Sequence, residues 1–177
     1  MSTQKTKIDN IFFEEAEFNQ KSIKSISSDD IHYLKKKALE TKRQRYRLCL
    51  HSDVNHLTQE MIICLKGKNY FRTHKHPPNY SESYYMIEGC IDIYLFDNNG
   101  NFLEKVNLCS NSGSFYYRLS GSIFHLVIPR TEWTIYHEVA TGPFDKKKSI
   151  IFADFAPDEN DDKSVIDNYL NQIELNC

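Results

Sequence analysis

The stretch from Gly67 to Gly89, which reads GKNYFRTHKHPPNYSESYYMIEG, decides how the rest of this chain is interpreted. It places His74 and His76 two residues apart and adds Glu82 ahead of the second glycine. In an extended strand, side chains two residues apart lie on the same face, so both imidazoles can approach one point. A metal ion is the expected occupant of that point. A hydrogen-bonded polar cluster would use the same residue types, so the surrounding sequence has to separate the two interpretations.

The surrounding sequence is rich in β-strand signals. Aromatic residues make up 13% of the chain, with 11 Tyr and 11 Phe against only 6 Gly and 5 Pro. Apolar and polar residues alternate with a period of two in several short runs, as expected of half-buried strands. The runs are 46–50, 61–65, 83–88, 91–95, 102–108, 115–119, 122–128, 134–139 and 149–153, and a further strand is expected to lead through 68–73 into the histidine pair. Closely spaced strands without long intervening helices predict a sandwich or barrel that forms a single domain.

Two amphipathic helices are predicted to flank the strands. Residues 27–29 can cap a helix that ends near Lys42, because apolar residues then recur at helical spacing. Asp161 or Asp162 can cap a second helix close to the C-terminus. The predicted organisation is an N-terminal extension (1–26), a barrel domain with its leading helix (27–157) and a helical tail (158–177). The extension carries an apolar cluster that would add an edge strand or cover a partner subunit: Ile11, Phe12, Phe13 and Phe18.

Charge and cysteine content limit the expected partners and location. The formal net charge of -2 gives no reason to expect nucleic acid or membrane as a partner, since neither is attracted by a near-neutral surface. No apolar run has the length of a signal-peptide core or a membrane span, so a cytoplasmic protein is expected. The 5 cysteines include no Cys-x-x-Cys pair. They are predicted to be buried or free thiols, without a disulfide or a thiolate metal site.

His125 is the candidate for a fourth metal ligand. Two imidazoles and one carboxylate leave a divalent ion half coordinated, and His125 is the polar residue inside the apolar run SIFHLVI. In a barrel, a late strand can lie beside an early one, which would bring His125 to the histidine pair. Three nitrogens and one oxygen suit a divalent transition metal, namely Fe, Mn, Ni, Co, Cu or Zn, and leave positions open for water or substrate.

The order of these residues resembles the motifs of the cupin superfamily. The first cupin motif, two histidines and a glutamate between glycines, is similar to the set Gly67, His74, His76, Glu82 and Gly89. The second motif, which supplies the last histidine, is similar to the run 113–125. Over about residues 31–157 the chain more closely resembles the WbuC family of cupin-fold metalloproteins. The segments that carry this resemblance are RYRLCLH, QEMIICLKGKNYFRTHKHP, ESYYMIEGCIDIYLFDNNG and TGPFDKKKSIIFADFAP.

The resemblance implies a mainly β fold, the cupin double-stranded β-helix, with four metal ligands. It also implies a pathway concerned with sugars, because WbuC genes usually occur among genes for O-antigen and other surface polysaccharides. No particular reaction follows from the family. The chain departs from the general motifs in two ways: six residues separate Gly67 from His74 and five separate His76 from Glu82, and Ser-Gly-Ser at 120–122 replaces an expected Pro-x-Gly turn.

Five further residues are candidates for roles around the metal. His51 corresponds to a histidine of the WbuC pattern, and it or Glu138 would act as an acid or base. Arg47, Arg72 and Tyr84 would line a substrate pocket. Each residue also has a structural interpretation, since His, Arg and Tyr side chains on barrel strands commonly serve as packing or cross-strand partners.

Two classes of function fit this sequence. The first is an enzyme of isomerase or epimerase type that acts on a sugar or nucleotide-sugar intermediate of surface polysaccharide biosynthesis, with an Fe(II)-dependent dioxygenase or a metal-free isomerase as variants. The second is a non-catalytic cupin that binds a small ligand. Both interpretations expect a small, carbohydrate-derived partner molecule. The cupin resemblance also implies a homodimer.

Overall fold

The structure, a computed structural model, describes residues 14–176. The apolar residues 11–13, for which the sequence predicts an edge strand or a partner contact, lie outside the described residues. Phe18 lies within them, in strand β1 (Ala16–Phe18), which pairs in parallel with β2 (Arg45–Cys49) at one edge of a sheet. Phe18 therefore belongs to an edge strand, which is one of the two roles predicted for this apolar cluster.

The described chain is built mainly of short strands. After β1 and β2, the strands are β3 (Thr58–Lys66), β4 (His74–Lys75), β5 (Ser81–Glu88), β6 (Cys90–Phe96), β7 (Phe102–Cys109), β8 (Tyr116–Ser120), β9 (Phe124–Pro129), β10 (Trp133–Thr141) and β11 (Ile151–Phe152). The helices are α1 (Ser28–Glu40), α2 (Lys146–Ser149) and α3 (Lys163–Asn176). Two predicted strands are shorter than expected. Residues 68–73 are not part of a strand, and the run 149–153 is divided between the end of α2 and the two residues of β11.

The strands form two sheets. An apolar cluster with side chains from both sheets lies between them. The six-stranded sheet has the order β1-β2-β3-β10-β5-β8, and the five-stranded sheet has the order β11-β4-β9-β6-β7. Strands far apart in sequence become neighbours, as β3 and β10 do in the first sheet and β4 and β9 in the second. This architecture confirms the predicted mainly β, cupin-type double-stranded β-helix.

Each layer of the molecule buries its own apolar cluster. Side chains such as Ile63 and Met86 from the first sheet meet Ile93 and Val127 from the second in the interior. Helix α1 packs Leu34 and other apolar residues against the outer face of the first sheet. Helix α3 covers the outer face of the second sheet, with Tyr169, Leu170 and Ile173 against strands β6 and β9. Burial on both outer faces holds the sheets in position, and so fixes what faces the interior.

The strand register lines up a row of side chains on the inner face of the first sheet. Across β3, β10, β5 and β8, directly paired residues are Met61 with Glu138, Glu138 with Tyr84, and Tyr84 with Tyr117. These four residues are called the Tyr117 row below. Glu82 lies two residues before Tyr84 on the same strand face, so it is about 7 Å along the strand from this row.

Gly89, which closes the sequence stretch quoted first, is required by close contacts where β5 passes into β6. Its φ is +80°, a conformation that favours glycine. A Cβ at this position would lie 2.2 Å from both Thr131 Oγ1 and Trp133 O. Any larger residue would have to displace the turn between β9 and β10.

The prediction that no cysteine forms a disulfide is wrong for one pair. Cys90 and Cys109 are directly paired on the antiparallel strands β6 and β7, with Cα atoms 4.2 Å apart, and they form a disulfide. A separation of 19 residues gives no sequence signal for this pairing, because only the register of the hairpin brings the two cysteines together. Cys49 and Cys64 are buried free thiols, as expected. Disulfides persist mainly in oxidising compartments, so this pair does not support the expected cytoplasmic location.

An ion-pair network joins the segment before β1 to the segment before α3. Glu15 accepts hydrogen bonds from Arg43 and from Arg45, at 3.0 Å from Arg45 Nε. The same two arginines contact Glu159 at 2.7 and 2.9 Å. Burial alone would raise the pKa of Glu15, but hydrogen bonds and charge from Arg43 and Arg45 outweigh burial and lower it.

Replacing Glu15 with Gln is expected to lower the free energy of unfolding at pH 7 by about 2 kcal/mol, because the nearly buried Arg45 loses a charged partner. Since the pKa of Glu15 is lowered on folding, its stabilisation is present above the ordinary value of 4.5 and is lost as the pH falls through the lower folded value. Urea denaturation at pH 7 and under acidic conditions measures both effects.

Glu132→Gln is the matched control for that experiment. Glu132 is also paired with a cation, Lys66 at 3.2 Å, but its side chain is 74% exposed. Its replacement should change stability by less than about 0.5 kcal/mol. Equal effects from Glu15→Gln and Glu132→Gln would contradict the role given to the network.

Candidate metal centre

Three strands bring the predicted ligands together at the inner side of the barrel. His74 on β4 is directly paired with His125 on β9. The ring centroids of His74 and His125 are 4.4 Å apart, and that of His76 lies 5.2 Å from the first and 5.4 Å from the second. Glu82, at the start of β5, approaches from the other sheet. The structure brings His125 to the histidine pair, although its turn lacks the expected proline.

Each of the three imidazoles is oriented by a hydrogen bond to the main chain. The Nδ1 atom of His74 lies 2.9 Å from Arg72 O, that of His76 lies 2.6 Å from Ser149 O, and that of His125 lies 3.2 Å from Ile123 O. A carbonyl oxygen only accepts, so each Nδ1 donates, and Nε2 is the atom left to face the interior. In His76, Nε2 also donates to Glu82 Oε2 at 3.2 Å, so a metal would have to displace that proton. Metal-binding histidines are typically oriented in this way by groups behind them.

The atoms that face the common point fit a divalent cation. The ligand nitrogens of His74, His76 and His125 all lie within 4.8 Å of one another. Glu82 places Oε2 3.2 Å from His76 Nε2 and Oε1 3.2 Å from His125 Nε2. Although the second pair is close, its geometry is not that of a hydrogen bond, so the buried Glu82 Oε1 and His125 Nε2 atoms have no hydrogen-bond partner in the described structure. The three histidines therefore form a group that can bind a metal, and Glu82 lies beside two of them.

Burial keeps two of the three histidines, His74 and His125, in the neutral form that metals bind. Burial lowers the pKa of His74 to about 3, and it lowers the pKa of His125 as well. Burial acts in the same direction on His76, but hydrogen bonding and charge from Glu82 outweigh it and raise the pKa of His76. The imidazoles in turn lower the pKa of Glu82, against the effect of its own burial. At neutral pH the centre thus offers a carboxylate beside two neutral imidazoles, His74 and His125.

Three of the other predicted site residues belong to the same inner face. Tyr84 and Glu138 are members of the Tyr117 row. Arg47 on β2 is directly paired with Ile63 on β3, a core residue two positions after Met61 of that row. Burial, followed by the charge of Glu82, raises the pKa of Glu138 to about 7, while the charge of Arg47 acts in the opposite direction. An acid or base with a pKa near neutrality therefore lies one row from the candidate metal ligands.

The structure places His51 and the side chain of Arg72 in other surroundings. His51 follows β2, with Nδ1 3.0 Å from the main-chain N of Glu60 and its ring in edge contact with Phe18. The Arg72 guanidinium donates to Ala153 O and Asp158, and it lies over the Phe152 ring, so only the carbonyl of Arg72 contacts the histidines. The structure does not bring these two side chains to the metal ligands.

Two interior tyrosines, Tyr117 and Tyr136, were not among the predicted site residues. Both rings lie against Tyr84, with centroid distances of 5.6 and 5.1 Å. The available signal was alternation, because Tyr136 lies two residues before Glu138 and so shares its strand face.

Comparisons with known proteins agree with this fold. A family model described as "Domain of unknown function (DUF6016)" matches residues 26–108. No curated protein matches the chain. Among solved structures, the capsular polysaccharide assembling protein CapF from Staphylococcus aureus is similar, with a TM-score of 0.53 and 11% identity over 63% of this chain and 32% of CapF. This chain therefore spans about a third of the length of CapF, and the likeness is one of fold.

Two further solved structures align less closely. A cupin superfamily protein from Desulfitobacterium hafniense has a TM-score of 0.44 and 10% identity, over 57% of this chain and 80% of that protein. Oxalate decarboxylase from Bacillus subtilis has a TM-score of 0.47 and 15% identity, over 61% of this chain and 27% of the enzyme. Across residues 14–176, no helix is long and apolar enough to cross a bilayer.

Elemental analysis of protein purified without an affinity tag is expected to find a divalent transition metal, which Glu82→Gln and His125→Ala should remove. Glu82→Gln keeps the size of the side chain but removes the anionic ligand, so its loss of metal would not reflect misfolding. Because a bound ligand stabilises the folded state, a chelator should also lower the unfolding temperature.

His137→Ala is the control, since His137 Nε2 is 2.9 Å from Glu60 Oε1 and lies away from the other histidines. This variant should retain the metal content of the wild type. The assignment fails if His137→Ala and Glu82→Gln lose metal equally, or if neither loses any.

Proposed function

We propose that this chain is a metal-dependent enzyme of isomerase or epimerase type that acts on a sugar or nucleotide-sugar intermediate. The observation that carries the proposal is the arrangement of the inner face. The ligand nitrogens of three imidazoles lie within 4.8 Å of one another, Glu82 lies beside two of them, and Glu138 lies one row away with a pKa raised to about 7. A candidate cation site and a candidate proton carrier therefore occupy one interior.

The residues of this proposed site have separate roles. His74, His76, His125 and Glu82 would hold the cation, which when bound polarises an oxygen of the substrate and so acidifies the adjacent C–H bond. Glu138 would accept that proton and return it, which requires a pKa near the working pH. A bound cation also lowers the pKa of Glu138, because positive charge favours the carboxylate.

The sugar pathway in this proposal is supported by two likenesses. The sequence resembles the WbuC family, whose genes usually accompany those for O-antigen and other surface polysaccharides. The fold is similar to that of CapF, which is described as a capsular polysaccharide assembling protein. At 11% identity the second likeness supports a cupin-type barrel and does not specify a substrate.

Purified protein is expected to convert at least one member of a panel of nucleotide sugars and free sugars, and to stop when a chelator is added. Glu138→Gln should lower kcat by at least about 100-fold without changing metal content, because it removes the proton carrier and leaves the metal ligands in place. As Glu138 acts in its unprotonated form, kcat/KM should rise with pH through a pKa at or below about 7. Product epimers and deuterium incorporation from solvent are measured by NMR.

Glu60→Gln serves as the control because Glu60 is on β3 but pairs with His137, away from the metal ligands. It should keep the wild-type rate. Absence of turnover for the whole panel, with full metal occupancy, would contradict the isomerase proposal and leave the non-catalytic ligand-binding cupin. Turnover that persists with a chelator would favour the metal-free isomerase.

The second candidate function is an Fe(II)-dependent dioxygenase. The donor set is compatible with it, because three imidazoles and one carboxylate suit iron as well as manganese, nickel or zinc. Elemental analysis that finds iron, together with substrate-dependent oxygen consumption in an oxygen electrode, would replace the isomerase proposal with this one. The homodimer implied by the cupin resemblance stays a prediction, which a mass measurement in solution tests.

A further inference from the structure

The hydroxyl group of Tyr117 is a buried polar atom that neither the fold nor the candidate metal centre explains. Among the described residues, the buried side-chain atoms without a hydrogen-bond partner are Arg72 Nε, Glu82 Oε1, Tyr117 OH and His125 Nε2. Glu82 and His125 are candidate metal ligands, and Arg72 hydrogen-bonds through its other two nitrogens. Tyr117 is only 7% exposed. Leaving a buried hydroxyl unpaired destabilises a fold, so this atom is a marker for an absent partner.

The position of Tyr117 places that partner beside the candidate metal centre. Tyr117 ends the Tyr117 row, where its ring is 5.6 Å from that of Tyr84. Leu119, two residues further along β8, is directly paired with Glu82. The rings of Tyr84 and Tyr136, 5.1 Å apart, extend the aromatic surface over the neighbouring strands. At the other end of the row, Met61 and Glu138 are only partly buried.

The chemistry of the row selects one class of ligand. Tyr117 has a phenol O–H to donate, which calls for an acceptor oxygen on the ligand. Glu138 and Glu82 are carboxyl groups, which accept hydrogen bonds from hydroxyl groups and would repel an anion placed against them. Tyrosine rings favour the apolar face of a ring over an extended polar chain. A neutral ring that carries several hydroxyl groups meets all three requirements.

We infer that the Tyr117 row is a ligand subsite, in which the Tyr117 hydroxyl donates a hydrogen bond to an oxygen of a neutral, polyhydroxylated ring such as a pyranose unit. Tyr84 and Tyr136 pack against the ring, and Glu138 accepts from its hydroxyl groups. This subsite deepens the proposed function and rests on it for the location of the reaction, since the ring lies next to the candidate metal ligands. Tyr117 is thus a specificity-determining residue.

The first test compares Tyr117→Phe with Tyr94→Phe in metal-free protein by urea denaturation. Tyr94 is the matched control because it is also buried, but its hydroxyl accepts a hydrogen bond from Arg130 at 2.9 Å. Tyr94→Phe should be less stable than the wild type, whereas Tyr117→Phe should be as stable or more stable, because it removes an unpaired polar atom. Destabilisation of Tyr117→Phe to the level of Tyr94→Phe would overturn the inference.

The second test measures ligand binding by calorimetry on protein as purified, with D-glucose, D-galactose, N-acetylglucosamine and the anionic D-glucuronate as probes. At least one neutral pyranose should bind more tightly than glucuronate. Its affinity should fall about tenfold in Tyr117→Phe, the loss of one hydrogen bond, and should not change in Tyr94→Phe. Metal content should be the same in all three proteins.

Three results would overturn the subsite: binding of no neutral pyranose, equal affinity in wild type and Tyr117→Phe, or tighter binding of glucuronate. Different results would contradict the proposed function. Binding that depends on Tyr117 without turnover of any sugar would retain the subsite and remove the isomerase. Turnover that Tyr117→Phe leaves unchanged would retain the isomerase and remove the subsite.

Discussion

Three hydrogen bonds from histidine Nδ1 atoms to main-chain carbonyls determine what this barrel can bind. Their acceptors are Arg72, ahead of β4, Ile123, ahead of β9, and Ser149, at the end of α2. These segments are distant in sequence, so the imidazoles point to one place only when the second sheet and the connection after β10 are both formed. The candidate cation site is therefore a property of the complete fold, even though two of its histidines lie within one tripeptide.

In the first sheet, the alternation of side chains between the two faces determines which other residues share the interior with the candidate ligands. Side chains alternate between faces, so the residues two positions from a ligand share its face, and their register partners form rows across the sheet. Glu82 is followed on its face by Tyr84, and Glu138 joins the same row from β10. Glu82, the candidate proton carrier Glu138 and the aromatic surface thus follow from the register of the first sheet. A slip of one residue would turn these side chains to the outer face of that sheet.

The sequence was sufficient to select candidate site residues where the signal was local. His74 and His76 define a strand face by themselves, and His125 is conspicuous as a polar residue within an apolar run. The fold class followed from strand spacing and from the cupin resemblance. The disulfide between Cys90 and Cys109 was missed because it depends on the register of a hairpin, and sequence spacing does not specify that register. The expected strand before His74 was also wrong, since those residues have polar contacts that do not belong to a ladder.

Hydrogen-bond partners distinguish the candidate site residues from the others better than residue type does. His51 and Arg72 have the chemistry of site residues, but main-chain groups and Asp158 bond His51 Nδ1 and two of the three guanidinium nitrogens of Arg72, away from the candidate metal ligands. Glu82, His125 and Tyr117 also bury polar atoms, yet part of that capacity remains unpaired within the described fold. Folding free energy alone would select against such atoms, because apolar residues of similar shape avoid the cost. Three of them on one interior surface are most simply explained by a ligand that completes their bonding.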